Sequence, residues 1–247
     1  MNIKGVYTDP HRLDGTGADN HKGIKPRYKT MLVFAGRKCT GGVYCAGDDK
    51  DVTQAQGETI QEKLESINIE NADTLKMEKR IGVKKVCGNH DEGTIPLKRI
   101  EEEIEGISPA GDPVIYKWIV SHGHEFDKWC SKFWFAGAVA TKIVGWLERK
   151  GFWNAERMLS KLFKKVADRN KGRDADKNEY FESMKKEIDG MKLPDDVCVV
   201  WVIGHTHKKI IKKYGRHLLI QAGRCSSGAV QLFMFDPDTG KGSFKSF

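Results

Sequence analysis

The sequence lacks any long apolar run. No segment approaches the ~20 consecutive apolar residues that a membrane-spanning helix needs. The N-terminal stretch MNIKGVYTDPH contains no apolar signal region. The six cysteines include no CxxC pair, which argues against a zinc finger or a disulfide scaffold. We therefore expect a cytoplasmic protein with reduced thiols.

The chain does not lack charge. Its formal net charge is +8, and this charge is unevenly spread along the sequence. Its 247 residues are 39% hydrophobic and 31% charged, which is typical of a folded protein with a sizeable core. Between Lys128 and Arg173 there are twelve Lys or Arg residues and three acids. This basic segment predicts contact with phosphates, nucleic acid or an anionic membrane surface, and a solvated helix face is the alternative.

Short β-like runs recur, and each one ends in a polar cluster. In chain order they are KGVYT before DPH, GGVYCA before GDDKD, VKKVC before GNHD, VIYKWIV before SHGH, and VCVVWVI before GHTH. Helical patterns between them, at 59–79 and 96–105, indicate an α/β core. Open α/β sheets usually build ligand sites just after their strands.

Two later regions do not show this alternation of strands and helices. The runs HLLIQAG, AVQLFMFD and GSFKSF predict an antiparallel meander or hairpin. Residues 126–193 instead predict helices at about 128–150, 154–170 and 176–191, inserted over the site. Within them, FWFAGAVATKIVGWL predicts a packed helix, and the alternatives are an acyl-chain groove or an interfacial helix.

Five polar clusters carry the candidate chemistry. They are Asp9-x-His11, Gly47-Asp48-x-x-Asp51, Gly88-Asn89-His90-Asp91, His122, and Gly204-His205-x-His207. Each is weak alone, since such residues also cap turns or form charged loops. Together, each directly after a strand-like run, they indicate one site.

This ordered set resembles the calcineurin-like metallophosphoesterase family, whose pattern runs D-x-H, G-D-x-x-D, G-N-H-D or G-N-H-E, H, then G-H-x-H. The resemblance implies an α/β fold, a four-layer αββα sandwich with an inserted helical cap. We expect the core at 1–125 and 194–247 and the cap at 126–193.

The resemblance also implies two divalent metal ions, which together clamp a phosphate. The first ion would be held by Asp9, His11, Asp48 and His207, and the second by Asp48, Asn89, His122 and His205, with Asp48 as the bridge. Mixed nitrogen and oxygen ligands favour Mn²⁺, with Fe or Zn²⁺ as alternatives.

The remaining residues of the clusters receive other roles from the resemblance. His90 would protonate the leaving oxygen as general acid, and Asp91 would fix its tautomer. Asp51 would steady a ligand or a turn. His124, two residues after His122, is a candidate substrate contact. The attacking group would be a metal-bound hydroxide.

The predicted cap resembles that of the UDP-2,3-diacylglucosamine hydrolase branch. This implies cleavage of the pyrophosphate of a lipid-bearing UDP-sugar. Peripheral membrane contact is the expectation under the alternative of an interfacial helix with a basic neighbour. His90 stands where that branch has Arg, and it points to general phosphodiester or phosphomonoester hydrolysis.

Two alternatives remain open. One is a phosphodiesterase or nuclease acting on nucleotides or nucleic acid, in which Trp129, Trp134, Trp146 and Trp153 stack bases. The other is a non-catalytic module that binds metal or phosphate. No sequence feature indicates an oligomeric state.

Overall fold

The computed structural model describes residues 2–8, 24–47, 57–88, 91, 95–126, 176–223, 225–226 and 229–247. Its helices are α1 (Ile24–Lys38), α2 (Ile60–Glu70), α3 (Ala72–Ile81) and α4 (Asp176–Gly190). Its strands are β1 (Lys4–Tyr7), β2 (Gly42–Cys45), β3 (Lys84–Lys85), β4 (Arg99–Ile107), β5 (Pro113–Ser121), β6 (Val197–Ile203), β7 (Lys209–Tyr214), β8 (His217–Ala222), β9 (Cys225–Ser226), β10 (Ala229–Asp236) and β11 (Lys241–Ser246).

These strands form two mixed sheets. The first has the order β11-β10-β1-β2-β3, with the short β9 also paired to β10. The second has the order β4-β5-β6-β8-β7. In the first sheet β1, β2 and β3 run parallel, and in the second β5, β6 and β8 run parallel. The strand β6, VCVVWVI, is buried along almost its whole length, as expected for a central parallel strand covered on both faces.

A hydrophobic core joins the two sheets face to face. It includes Tyr44 of the first sheet, Trp118 of the second and Phe235 of the first. The rings of Trp118 and Phe235 stack with their centroids 5.7 Å apart. Contacts of this kind make the two sheets one sandwich.

Helices cover both outer faces of the sandwich. On the first sheet, α1 buries Tyr28, Met31 and Leu32. On the second sheet, α4 buries Phe181 and Met184. The resulting helix–sheet–sheet–helix order confirms the predicted four-layer αββα architecture.

Most predicted elements that fall on described residues are confirmed, with two corrections. The helix expected at 96–105 is wrong, because this segment forms the edge strand β4. The helix expected at 59–79 is divided at Asn71 into α2 and α3. Of the two arrangements expected for the C-terminal strands, the hairpin is confirmed, because β10 and β11 pair antiparallel in the first sheet, whereas β8 lies in the second.

The division into a core and a cap stays a prediction, since residues 127–175 lie outside the described residues. The helix expected at 176–191 is confirmed as α4. In the part of the chain that the structure describes, no helix is both long and apolar enough to cross a membrane.

Candidate functional site

Two of the predicted ligands meet at the ends of neighbouring strands. His122 directly follows β5, and His205 comes two residues after β6. These strands run parallel, with Ser121 opposite Ile203, so their carboxyl ends lie side by side. As a result, Nδ1 of His205 lies 3.1 Å from Nε2 of His122.

The imidazole of His122 is held in one orientation. Its Nδ1 lies 2.8 Å from the carbonyl oxygen of Ala46, and the whole residue is buried. Because a carbonyl only accepts hydrogen bonds, Nδ1 carries the proton, which leaves the lone pair of Nε2 facing His205. A backbone carbonyl commonly fixes the tautomer of metal-binding histidines in this way.

The loops after β5 and β6 are joined by backbone hydrogen bonds. The carbonyl of His122 accepts from the amides of Gly204 at 2.9 Å and of His205 at 2.8 Å. The amide of His207 then donates to the carbonyl of Gly204 at 3.1 Å, closing a turn in which His207 has a φ of 53°. The predicted ligands of the last cluster therefore lie on a loop anchored to His122.

The spacing of the two imidazole nitrogens suits a shared metal ion. Two nitrogens bound to one ion at about 2.05 Å lie about 2.9 Å apart at a right angle and about 3.4 Å apart in a tetrahedron. The distance between His122 Nε2 and His205 Nδ1, 3.1 Å, falls between these values. This pair therefore fits the predicted second metal ion, to which both residues are assigned.

Two glycines make room for this arrangement. A Cβ on Gly47, whose φ is 95°, would lie 2.4 Å from Nδ1 of His122. A Cβ on Gly204 would lie 2.2 Å from the carbonyl oxygen of Ala46 and 2.3 Å from Oγ1 of Thr8. Side chains at either position would displace the groups that orient His122.

Asp91 is fully buried in the loop that follows β3. Its Oδ2 accepts a hydrogen bond from the amide of Gly88 at 2.6 Å, so the first and last residues of the GNHD motif are in contact. Its predicted partner His90 lies outside the described residues, so the assignment of Asp91 to the tautomer of His90 stays a prediction.

His124 begins a short 3-10 turn, His124–Phe126, beside the histidine pair. Its ring centroid lies 5.3 Å from that of His122, and its Nδ1 lies 3.7 Å from Oε2 of Glu125. Glu125 also accepts from the amide of Gly123 at 3.0 Å. His124 therefore borders the site, and its contact with substrate stays a prediction.

The other predicted site residues lie outside the described residues: Asp9, His11, Asp48, Asp51, Asn89 and His90. Among the residues that are described, no group of three or more His, Cys, Asp or Glu side chains could hold a metal ion. The complete ligand set stays a prediction, and the structure brings together its His122 and His205 members.

Tyr180 is a neighbour of the site that the sequence analysis missed. It lies on α4, and its ring centroid is 6.0 Å from that of His205. No motif marks this tyrosine, and only the packing of α4 on the second sheet brings it to the histidine pair. It is a candidate wall of the site on the helix side.

The fold and the site together define a four-layer αββα protein with a histidine pair at the carboxyl ends of parallel strands. No protein-family model matches the sequence, and no curated protein matches it.

Solved structures with weak similarity include a predicted phosphoesterase from Streptococcus pneumoniae, with 13% identity and a TM-score of 0.39 over 100% of this chain and 98% of that one. An archaeal phosphodiesterase has 13% identity and a TM-score of 0.42, with 99% of each chain covered. Vacuolar Protein Sorting 29 from Cryptosporidium parvum has 13% identity and a TM-score of 0.45, over 100% of this chain and 96% of that one. The function is therefore inferred from the residues of this chain.

Proposed function

We propose that this protein is a dinuclear metal-dependent phosphohydrolase that cleaves phosphodiester or pyrophosphate bonds. The observation that supports the proposal is the histidine pair, in which the Ala46 carbonyl holds Nδ1 of His122 while Nε2 lies 3.1 Å from Nδ1 of His205. When bound, divalent ions supply Lewis-acid activation of phosphate and of water. Mn²⁺ fits this donor chemistry, with Fe or Zn²⁺ as alternatives.

In this proposal, residues of the chain bind the metal ions, donate a proton and contact the substrate. His122 and His205 bind one ion together with Asp48 and Asn89, and Asp9, His11 and His207 bind the other with Asp48. The imidazole of His90 donates a proton to the leaving oxygen, and Asp91 holds that imidazole in its donor orientation. His124 contacts the phosphate-bearing substrate.

Hydrolysis of bis-p-nitrophenyl phosphate with added Mn²⁺ tests the proposal. We expect His122→Ala, His205→Ala and Asp48→Ala each to lower kcat/KM at least about 100-fold, since each removes a ligand. His217→Gln is the matched control, because His217 is a half-buried histidine at the opposite end of the second sheet. If wild type is no faster than these three ligand variants, the enzymatic proposal fails, and retained Mn²⁺ binding would then favour a non-catalytic module.

A substrate panel separates the classes of phosphohydrolase. The panel comprises p-nitrophenyl phosphate, a UDP-sugar carrying acyl chains, and single-stranded DNA and RNA, each with Mn²⁺. Release of UMP from the UDP-sugar would support the lipid-linked substrate. Cleavage of the polymers would support the nuclease alternative.

A further inference from the structure

The last residues of three parallel strands form one row across the first sheet. Tyr7 of β1 is opposite Cys45 of β2, and Cys45 is opposite Lys85 of β3. Tyr7 and Cys45 both pack in the core on the helix-covered face, so the row faces the helices. Each strand runs directly into a segment that carries predicted metal ligands.

One carboxylate on the helix layer binds both ends of this row. Glu78 of α3 is only 2% exposed. Its Oε1 accepts hydrogen bonds from the hydroxyl of Tyr7 at 3.0 Å and from the hydroxyl of Tyr28. Its Oε2 accepts from Nζ of Lys85 at 2.6 Å. The two oxygens therefore anchor β1 and β3 separately, across the intervening β2.

A buried carboxylate usually adds little net unfolding free energy, so stability alone does not explain one. Removing a carboxylate from water is costly, and apolar side chains of similar volume often stabilise a fold equally well. Directional hydrogen bonds, however, fix the groups they join within a few tenths of an ångström. The position of Glu78 at the strand ends therefore favours a role in geometry.

We propose that Glu78 is a positioning residue that sets the separation of the strand ends leading to the metal ligands. The inference rests on the proposed function, because it concerns the same site. Tyr7 lies two residues before Asp9, and Lys85 lies four residues before Asn89, which are assigned to different ions. A change in the distance between β1 and β3 therefore changes the spacing between the ligand sets.

The experiment compares Glu78→Gln with a matched variant, Glu102→Gln. Glu102 of β4 also binds the first three strands, accepting from Lys4, Tyr44 and Lys84, but it does so on the face between the sheets. Mn²⁺ affinity is measured from the electron paramagnetic resonance signal of free Mn²⁺, and kcat is measured at saturating Mn²⁺. Circular dichroism verifies that each variant folds.

We expect Glu78→Gln to weaken Mn²⁺ binding about tenfold and to keep kcat at saturating Mn²⁺ within about twofold of wild type. Glu102→Gln should bind Mn²⁺ as wild type does. Unchanged affinity in Glu78→Gln, or equal loss in both variants, would overturn the inference.

If Glu78→Gln does not fold, Tyr7→Phe provides the second measurement, since it removes only the hydroxyl that joins β1 to Glu78. A weaker Mn²⁺ affinity in Tyr7→Phe supports the inference, and wild-type affinity overturns it. The two proposals fail in different ways. Wild type that binds none of Mn²⁺, Fe²⁺ and Zn²⁺ overturns both, whereas wild type that hydrolyses phosphodiesters while Glu78→Gln retains its affinity overturns only the positioning role.

Discussion

At the scale of single residues, the backbone gives the two ring nitrogens of His122 different contacts. The Ala46 carbonyl binds Nδ1, and the loop after β6 brings His205 to Nε2. This geometry depends on residues without side chains, because Gly47 and Gly204 lie where a Cβ would collide with the histidine or its carbonyl partner. Gly47 and Gly204 are therefore needed for this geometry as much as the histidines are.

Gly204→Ala tests this dependence. The new Cβ would lie 2.2 Å from the carbonyl oxygen of Ala46, so we expect that carbonyl to shift and His122 to lose its fixed orientation. Overpacking of this kind costs about 1–3 kcal/mol of unfolding free energy, and we expect phosphodiester hydrolysis to fall at least about tenfold. Gly190→Ala is the control, since a Cβ there would meet no described residue within 4 Å beyond its own neighbouring backbone. Wild-type activity in Gly204→Ala would show that the close approach is not needed.

His217 predicts a pH dependence of stability. Its Nδ1 accepts a hydrogen bond from the amide of Val199 at 2.9 Å, so the fold requires the neutral ring. Burial, together with the nearby Arg216, lowers the pKa of His217 below its usual 6.5, although Asp189 opposes the shift. The unfolded chain therefore binds more protons than the folded chain below pH 6.5, and stability present above that pH is lost as pH falls through the lowered pKa.

Urea unfolding of wild type and His217→Gln at about pH 7.5 and about pH 5 measures this effect. We expect wild type to lose more unfolding free energy between these pH values than the variant, because glutamine does not titrate. Equal losses would contradict the assignment of a neutral, hydrogen-bonded His217.

At the scale of elements, one carboxylate of the edge strand β4 binds the second sheet to the first. Glu102 accepts hydrogen bonds from Lys4 at 2.6 Å, Tyr44 at 2.7 Å and Lys84 at 2.6 Å. Burial of the Glu102 carboxyl raises its pKa, but these partners outweigh burial and lower the pKa to about 2. The ionised carboxylate therefore stabilises the junction of the sheets at neutral pH.

Glu102→Gln should lower the unfolding free energy at pH 7 by about 1.5–3 kcal/mol, the usual contribution of hydrogen bonds to a charged group. The pKa of Glu102 is depressed in the fold, so this stabilisation is present above its ordinary value of 4.5 and is lost as pH falls toward about 2. Denaturant unfolding between those pH values measures the loss. Glu103→Gln, an exposed neighbour on the same strand, should change stability little, and an equal effect in both variants would contradict the role of Glu102.

The edge strand β4 also shows why sequence pattern alone misassigned one element. Its inward residues Ile100 and Ile104 are four positions apart, a spacing that places two side chains on one face of a helix and also of a strand. The glutamates between them favour a helix by propensity. Pairing with β5 along nine residues overrides that preference, and only the partner strand reveals it.

Helix α1 is not predicted by the sequence pattern, whereas the buried strands are. The strand β6 is a continuous β-branched and apolar run, so its sequence alone indicates burial. In α1, Pro26 and Gly36 interrupt the helical pattern. Pro26 is tolerated because it lies in the first turn, and a Cβ on Gly36 would lie 2.7 Å from the side chain of Ile81, so the glycine allows α1 to approach α3.

The candidate site is predictable where ligands lie within two residues of a strand end, as His122 and His205 do. It is not predictable where a residue acts through long-range packing. Glu78 is far in sequence from Tyr7 and Tyr28, and an isolated glutamate on a charged helix resembles any solvated residue. Its burial follows only from the packing of α3 on the first sheet.

At the scale of the whole molecule, the histidine pair lies where the two sheets meet. The Ala46 carbonyl follows β2 of the first sheet, while His122 and His205 follow strands of the second. Under the proposed function, a bound ion therefore stabilises both halves of the sandwich at once.

Metal removal should accordingly lower the melting temperature of the whole chain. A ligand at about 100 times its Kd stabilises a fold by about 2.7 kcal/mol, so we expect Mn²⁺ to raise Tm by several degrees and EDTA to reverse the rise. Differential scanning calorimetry measures the shift. His122→Ala should show a much smaller shift, and an equal shift in that variant would place Mn²⁺ elsewhere.

The pairing of Lys4 with Phe235 has a consequence for synthesis on the ribosome. The strand β1 occupies the interior of the first sheet, yet its neighbour β10 (Ala229–Asp236) is translated long after it. At about 5–20 residues per second, roughly ten seconds or more pass between the synthesis of β1 and the synthesis of β10. Until β10 is made, the edge of β1 that pairs with it stays unpaired, and slower translation of the intervening residues would lengthen that interval.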